Sequence, residues 1–312
     1  MEDISLPVLI EDHFQQCVAA KLTLEKAMQS YEVNDDQSNN LYAETIFQGK
    51  SPIWYMHKKY RVGSSQIHMV TNAHKGNKQQ LIDEALKSIQ MEGLKHSTFV
   101  KRAMRHGTLF EPIIREIYRR KMSQVHKGFK VEIQGLVVSC EEKFLAVSLD
   151  GIASCQCKAN HPPRLVEIKA PYRYRGKTIK EIVKNDINNT FIIDHRGQVR
   201  IGHRYFDQIQ YQLQIMEHYG SADLVLYTGK ADINNLKWYE ISNHLLIKTI
   251  RKDNEYGQEQ VHIAKSFLKE HVFPDLYRKL QGLIFFIHCL GTLLSAVVWC
   301  IFNEINFGLI PP

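Results

Sequence analysis

The chain has 312 residues, which is enough to bury a substantial core in one or two domains. Its hydrophobic fraction of 44% and charged fraction of 23% are ordinary for a globular protein, and the formal net charge of +7 favours a polyanionic partner. The sequence contains no internal repeat, no phosphate-binding glycine loop and no Ser-His-Asp pattern, which argues against repeat proteins, P-loop enzymes and serine hydrolases.

The first 122 residues are predicted to be mainly helical. Residues 1–32 carry apolar side chains at helical spacing, and the polar stretch 34–40 is typical of a linker. Within the helices predicted for 46–122, the segment from Gly107 to Met122 has a buried apolar stripe. Glu111 lies in the first turn of that predicted segment, where it either favours the helix dipole or serves a metal site.

Strands and further helices are predicted for the rest of the chain. The predicted elements are strands at 129–138, 144–153 and 164–170, a basic segment, a helix at 205–219, closing strands at 222–228 and 236–241, and a long helix at 243–270. This order predicts an α+β fold with a central mixed β-sheet flanked by helices.

The segment from Leu165 to Pro171 is typical of a short strand. Alternation sends Val166 and Ile168 into a core and places Glu167 and Lys169 side by side on the other face. A carboxylate there can hold a divalent metal, and an ammonium can orient the attacking water or stabilise charge on a phosphate. Taken alone, this pattern is more often a solvated strand face.

Asp150 is the nearest acidic partner upstream of this strand. It ends a predicted strand in an Asp-Gly pair, which by itself would indicate only a turn. The polar segment from Cys155 to Arg164 contains two prolines and is predicted to be a loop between antiparallel neighbours. Asp150 and Glu167 could then meet at one Mg²⁺ ion, which binds few carboxylates and keeps several waters and phosphates as ligands.

The helix predicted from Tyr205 to Tyr219 carries polar side chains on an otherwise apolar face. Gln208, Tyr211 and Gln212 share that face. Glutamines there usually make hydrogen bonds in the core, and they also suit the positioning of water or phosphate beside a metal.

Four segments in this order resemble the YqaJ viral recombinase and phage lambda-type exonuclease family, a branch of the PD-(D/E)xK nucleases related to viral alkaline nucleases. They are His106–Pro112, Ser148–Gly151, Glu167–Pro171 and Tyr205–Gln212. The resemblance covers about residues 50–275 and implies a restriction-endonuclease-like core. Leu149 stands where the family usually has proline. Since that proline donates no ligand, activity is expected to survive with slightly looser geometry.

The resemblance also implies roles for individual residues. Asp150 and Glu167 resemble the carboxylates that hold Mg²⁺, for which Mn²⁺ can substitute, with the backbone carbonyl of Ile168 as a further ligand. Lys169 resembles the catalytic lysine. Two outer residues of the implied active site are Glu111, which supports the metal site, and Gln208, which fixes the scissile region. In the segment 54–65, the candidates for binding a terminal 5′-phosphate are Arg61 and Ser65.

Basic residues are concentrated just after the predicted catalytic strand. Between Tyr172 and Arg204 eight basic residues face three acidic ones, and the first three are Arg173, Arg175 and Lys177. We interpret this segment as a flexible element that binds the DNA backbone, so the affinity for DNA should fall as the salt concentration rises. The alternative is a solvated loop.

The six cysteines are scattered, and no secretory signal peptide is recognised. Both observations favour a reducing, intracellular location, nuclear or cytoplasmic, rather than secretion. Cys155 and Cys157, followed by His161, could form part of a zinc site, but the sequence offers no clear fourth ligand.

The C-terminal stretch 282–302 has no formally charged residue and is long enough to span a membrane. Arg278 and Lys279 precede it and would keep the preceding domain on the cytoplasmic side of a tail anchor. A buried final helix, an oligomer contact or a tail foreign to the fold are the alternatives. We therefore divide the chain into an N-terminal helical extension and linker (1–45), a nuclease domain (46–280) and an apolar tail (281–312).

The residues and the resemblance together predict a Mg²⁺-dependent exonuclease that hydrolyses double-stranded DNA from its ends in recombination, repair or processing. Its expected partners are double-stranded DNA, a single-strand annealing or recombination protein, and further copies of the chain in an oligomer. The alternatives are an endonuclease of the same fold and a non-catalytic adaptor that binds DNA or is tethered to a membrane.

Overall fold

A computed structural model describes residues 5–76, 78–92, 97–139, 141–157, 161–230, 237–287 and 289–290. The α-helices are α1 (Ile10–Ala19), α2 (Leu24–Gln29), α3 (Asp35–Glu44), α4 (Pro52–Lys58), α5 (Ile67–Gly76), α6 (Gln79–Gln90), α7 (Thr98–Met122), α8 (Ile179–Lys184), α9 (Arg204–Ile215), α10 (Trp238–His244) and α11 (Asn254–Phe267). The strands are β1 (Val62–Gly63), β2 (Lys130–Glu132), β3 (Leu136–Val138), β4 (Leu145–Ser148), β5 (Gly151–Ser154), β6 (Arg164–Lys169), β7 (Ser221–Tyr227) and β8 (Leu245–Arg251). The 3₁₀ helices are Gln48–Lys50 and Tyr172–Tyr174.

The larger sheet has five strands in the order β2-β5-β6-β7-β8. Strands β6 and β7 run parallel, and the other pairs are antiparallel, as predicted for the strands before and after the polar loop. Strand β6 lies in the middle of this sheet, and both of its faces are covered, because Leu165 on one face and Val166 and Ile168 on the other are all buried. The fold is therefore the predicted mixed sheet flanked by helices.

Helices cover the two faces of the larger sheet. On one face, Ile209 of α9 and Ile263 of α11 belong to the same buried cluster as Leu165 and Leu224. On the other face, the apolar stripe of α7 packs with residues of β5, β6 and β7; the buried members are Phe110, Ile114, Ile117, Tyr118, Ala153, Val166, Ile168 and Val225. The end of β6 is thus held between α7 and α9.

The strand predicted at 144–153 is in fact two strands in different sheets. Strand β4 lies in a three-stranded sheet of order β1-β4-β3, whereas β5 lies in the larger sheet. The chain crosses between them at Leu149, which is fully buried, and Asp150. A Cβ on Gly151 would lie 2.7 Å from Cγ1 of Val131, so glycine lets β2 approach closely at this crossing. The crossing places Asp150 at the edge between the two sheets.

The polar stretch predicted as a linker at 34–40 is instead the start of helix α3. Asn34 accepts a hydrogen bond from the backbone of Gln37, whose side chain bonds back to the backbone of Asn34, and this capping box explains why a polar sequence begins a helix here. The preceding helices pack into the main core, where Phe14 contacts Phe273 with ring centroids 5.1 Å apart.

Residues 237–251 also differ from the prediction. The described part of the strand predicted at 236–241 is helical from Trp238 onward, and the Glu240 side chain accepts a hydrogen bond from the backbone N–H of Lys237 at 2.7 Å at the start of α10. The seven residues of β8 come from the start of the predicted long helix and pair with β7 along its full length. Tertiary pairing therefore overrides a local pattern that also suited a helix.

The C-terminal helix α11 continues through a π-helical turn at Leu268–Val272 into helical residues 273–287. Of the predicted membrane span at 282–302, residues 288 and 291–302 lie outside the described part of the chain. Among the residues that the structure describes, none of the helices combines the length and the apolarity needed to cross a bilayer.

Arg61 lies in the core, which contradicts the prediction that it binds a terminal phosphate. Its side chain is fully buried, with Nε donating to the carbonyl of Lys143 at 3.0 Å and Nη2 donating to the hydroxyl of Tyr31 at 2.7 Å. Nη1 donates to the carbonyl of His57. These bonds use all three nitrogens to join the end of α4 to the loop before β4, so Arg61 holds the fold together.

We expect Arg61→Ala to lower the free energy of unfolding by about 3 kcal/mol or more, because it leaves buried carbonyl groups without donors and opens a cavity. Arg196→Ala, at an exposed arginine, should change it by less than about 0.5 kcal/mol. Urea denaturation measures both values. Equal stability of the two variants would contradict the structural role of Arg61.

Candidate active site

The end of β6 presents the predicted carboxylate and amine on one face. Val166 and Ile168 pack into the α7 side of the sheet, while Glu167 and Lys169 face α9. Together with Asp150, Gln208 and Ser65, they line one cavity of about 160 Å³. The structure therefore brings together five of the residues that sequence reasoning had selected.

The carboxylate of Glu167 is almost completely buried, with 2% of the residue exposed. Oε1 accepts a hydrogen bond from Nε2 of Gln208 at 2.7 Å, and Oε2 accepts one from Nε2 of Gln212 at 2.7 Å. Lys169 donates a third hydrogen bond to Oε1. Both glutamines lie on the buried face of α9, so they hold the carboxylate in one orientation.

Asp150 is held beside Glu167 by a hydrogen bond to the backbone of β6. Its Oδ2 accepts a hydrogen bond from the backbone N–H of Ile168 at 2.6 Å. Burial, and next the charge of the Glu167 carboxylate, raise the pKa of Asp150 well above its ordinary value. Two carboxylates in this position repel each other, and a bound cation would offset that repulsion.

Lys169 lies between these acids and the ring of Tyr205, whose centroid is 5.4 Å from Nζ. Burial acts to lower the pKa of Lys169, but the carboxylates of Glu167 and Asp150 outweigh burial and raise that pKa above its ordinary value. The side chain is therefore charged at neutral pH.

Glu111 occupies a different position from the one predicted. Helix α7 begins at Thr98, so Glu111 lies well inside the helix and does not contribute to its N-terminal dipole. It forms an ion pair with Arg115, whose Nη2 and Nε donate to the carbonyl of Asp150 at 3.1 and 3.3 Å. Glu111 lines a neighbouring cavity and reaches the Asp150 turn through Arg115, a residue that sequence reasoning missed.

Lys58 lines the active-site cavity in addition to Lys169. Sequence reasoning did not select it. Its Nζ lies 4.2 Å from the ring centroid of Trp54, one turn earlier on α4, and both residues line the cavity with Ser65. Burial, and next the charge of Lys169, lower the pKa of Lys58 to about 8. The available signal was the i, i+4 spacing of Trp54 and Lys58, which places them on one helix face.

The predicted basic segment is anchored to the protein rather than flexible throughout. Phe191, Ile192 and Ile193 are buried in the main core, and the carbonyl of Lys177 accepts a hydrogen bond from Thr228 at 2.6 Å. Its basic side chains are nevertheless exposed, except for the half-buried Arg200, and the segment begins directly after β6.

A larger groove of about 770 Å³ adjoins the end of β6. Arg173, Arg200 and Arg204 line it, together with the aromatic side chains Phe99 and Tyr172. Arg175 lies close by, with its guanidinium carbon 4.0 Å from the ring centroid of Tyr172. The groove therefore combines positive charge with rings on which a base can stack.

The donor set of the small cavity fits a hard divalent cation. Asp150 and Glu167 offer carboxylate oxygens, and the other residues that line the cavity carry hydroxyl, amide, amine or apolar groups but no thiol. Mg²⁺ prefers oxygen ligands of this kind and retains several water molecules. The cavity size leaves room for such waters.

Comparison with known proteins identifies the family. The sequence profile of the YqaJ-like viral recombinase domain matches residues 53–230, which is more than half of the chain. No curated protein sequence gives a significant match.

Two solved structures of one herpesvirus protein support the fold, and a bacterial exonuclease is a further match. The shutoff and exonuclease protein of Kaposi's sarcoma-associated herpesvirus is 10% identical, with a TM-score of 0.50 over 85% of this chain and 76% of that one. A complex of the same viral protein with RNA is 11% identical, with a TM-score of 0.50 over 80% of this chain and 77% of that chain. The alkaline exonuclease of Laribacter hongkongensis is 19% identical, with a TM-score of 0.49 over 76% of this chain and 98% of that chain.

The order of the motifs, the restriction-endonuclease-like core and the matched residues lead to one assignment. This chain belongs to the family of YqaJ-like viral recombinase domains.

Proposed function

We propose that this protein is a Mg²⁺-dependent deoxyribonuclease that hydrolyses phosphodiester bonds of double-stranded DNA from its ends, in recombination, repair or processing of DNA. The observation that carries the proposal is the convergence of Asp150, Glu167 and Lys169 on one small cavity. Membership of a recombinase family that resembles the lambda-type exonucleases supports the same reaction.

Asp150, Glu167 and the backbone carbonyl of Ile168 would hold the cation, with Mn²⁺ able to replace Mg²⁺. The raised pKa of Asp150 reflects burial and the repulsion of Glu167, and a divalent cation offsets that repulsion. When bound, the cation supplies Lewis acidity at a phosphate oxygen and lowers the pKa of a water molecule.

The protein side chains orient the reacting groups. Gln208 and Gln212 hold the Glu167 carboxylate in place at the lining of the cavity. Lys169 is held charged by the two acids and is placed to orient the attacking water or to stabilise negative charge on the phosphate. Arg115, by holding the Asp150 carbonyl, is a positioning residue, and Glu111 acts through it.

Preference for DNA ends would come from other residues that line the same cavity. Lys58 and Ser65 lie there, and we assign to Lys58 the contact with a terminal 5′-phosphate that the sequence had suggested for Arg61. Arg173, Arg175 and Lys177 would contact backbone phosphates of the duplex as it leaves the cavity through the basic groove.

We expect Glu167→Ala and Lys169→Ala each to slow the digestion of end-labelled linear duplex DNA by about 10²- to 10³-fold, because each removes a group that contacts the cation or the developing charge. The measurement is a time course with purified protein in Mg²⁺, and chelator should abolish activity of the unaltered protein. Lys75→Ala, at an exposed lysine paired with Glu259, is the matched control and should digest at the normal rate.

The same assay separates the alternatives. Cleavage of closed circular DNA would identify an endonuclease. Salt-sensitive binding of DNA with no cation-dependent turnover would identify an adaptor. Full activity of either active-site variant would contradict the proposed mechanism.

Asp150→Asn should abolish activity and at the same time stabilise the protein in chelator. The folded-state pKa of Asp150 lies above its unfolded value of about 3.8, so the free energy of unfolding decreases as pH rises above that value, and an amide has no charge to bury. At pH 7 we expect a gain of about 0.5 to 2 kcal/mol by urea denaturation.

Added Mg²⁺ should stabilise the unaltered protein and have little effect on Asp150→Asn, because only the unaltered site binds the ion tightly. Glu217→Gln, at an exposed glutamate, should respond to Mg²⁺ as the unaltered protein does. If Asp150→Asn is less stable than the unaltered protein in chelator, repulsion from Glu167 does not destabilise the Asp150 carboxylate.

Lys58→Ala should reduce the preference for 5′-phosphorylated over 5′-hydroxyl duplex ends by about 10-fold or more, the value of one hydrogen bond between charged groups. Lys58 is an ammonium below its pKa of about 8, so affinity for the phosphorylated end should fall as pH rises through 8. Binding is measured with Ca²⁺ in place of Mg²⁺.

Lys58→Arg should remove this pH dependence, because arginine stays charged. Lys59→Ala, which removes the neighbouring lysine paired with Glu11 at 2.6 Å, should leave end preference unchanged. An unchanged preference in Lys58→Ala would assign the end contact to another group.

A further inference from the structure

Four metal-ligating side chains lie together at the end of the larger sheet that is remote from the active site. Cys155, Cys157 and His161 come from the loop between β5 and β6, and His126 comes from the segment between α7 and β2. Each offers one ligand atom, and these four atoms all lie within 4.8 Å of one another. The fourth ligand, which the sequence did not reveal, is thus supplied by a residue 29 positions before Cys155.

The spacing of these atoms is close to that of a tetrahedral zinc site. Zn–S bonds of about 2.3 Å and Zn–N bonds of about 2.0 Å require ligand atoms to be separated by roughly 3.3 to 3.8 Å. The Sγ of Cys157 already lies 3.8 Å from Nδ1 of His126. The rings of His126 and His161 lie close together and perpendicular, with centroids 4.7 Å apart.

The backbone around the cluster is arranged as in metal-thiolate sites. The N–H of Lys127 donates to Sγ of Cys157 at 3.3 Å, which stabilises a thiolate. The N–H of Gln156 donates to the carbonyl of Lys127 at 2.8 Å and joins the two segments. Gly128 has φ +61°, and a Cβ there would lie 2.6 Å from the side chain of Gln156, so glycine permits this approach.

The chemistry of the four side chains selects the metal. Both cysteines are free thiols in the structure. Two thiolates with two imidazoles form a soft donor set that suits zinc and is wrong for Mg²⁺ or Ca²⁺, which need oxygen.

We propose that His126, Cys155, Cys157 and His161 bind one Zn²⁺ ion as a structural site. The ion would fasten the segment that follows α7 to the hairpin of β5 and β6. Asp150 and Cys155 lie at opposite ends of β5, roughly 16 Å apart at 3.3 Å per residue, so this zinc takes no part in hydrolysis. All four positions around the ion are filled by protein, as in closed structural sites.

Metal analysis of the purified full-length chain tests the proposal. Protein prepared without chelator, incubated with Zn²⁺ and then desalted, should retain about one zinc per chain, and Cys155→Ser/Cys157→Ser should retain less than about 0.2. X-ray absorption at the zinc edge should show two sulfur and two nitrogen neighbours. Substitution with Co²⁺ should give the intense visible bands of a tetrahedral thiolate site.

Two controls separate this site from the nuclease centre and from unspecific thiols. Glu167→Ala should keep its zinc, because the carboxylate belongs to the other centre. Cys17→Ala should keep it too, because Cys17 lies on α1 in the main core and is not among the four ligands. Loss of zinc should lower the melting temperature of the unaltered protein.

If the double cysteine variant fails to fold, His161→Ala, at an exposed ligand, replaces it and should lower the affinity for zinc by at least about 10-fold. The proposal is overturned if the unaltered protein retains less than about 0.2 zinc, if the zinc content is the same in His161→Ala, or if the absorption spectrum shows no sulfur neighbour.

Discussion

The buried carboxylate of Glu167 determines how α9 and β6 are placed around the active site. A charge with only 2% of its residue exposed is costly unless it is paired and hydrogen-bonded, and here α9 supplies two amide donors and β6 supplies an ammonium. Helix α9 must therefore present Gln208 and Gln212 toward the sheet, in a place where apolar side chains would normally pack. The polar face of this helix belongs to the active site, and its apolar neighbours hold it against β6.

The crossing between the two sheets adds the second carboxylate. Because the chain leaves β4 and enters β5 at Asp150, that side chain lies at a sheet edge, where it can approach β6 from the side and bond to the backbone of Ile168. Arg115 holds the carbonyl of the same residue from α7. The geometry brings like charges together, so the fold gives up stability at the place where a cation would bind.

The hairpin of β5 and β6 connects two centres of different chemistry. Oxygen ligands gather at one end, around Asp150 and Glu167, and the cluster of two cysteines and two histidines lies at the other. Strand β5 has only four residues, and short strands gain little from pairing alone. A hairpin that is fixed at its loop would hold its opposite end more rigidly, which matters because carboxylates must keep their position to within a fraction of an ångström.

The pattern of β6 could be predicted from sequence because alternation is a local property: Val166 and Ile168 had to leave Glu167 and Lys169 on the opposite face. The order of the four motifs likewise predicted the fold. Tertiary structure alone decided that Arg61 turns inward, since its partners Lys143 and Tyr31 lie far along the chain, and that Lys58 enters the cavity instead. It also decided the pairing of β8 and the approach of His126 to the cysteines, because such contacts depend on packing between distant segments that no local periodicity encodes.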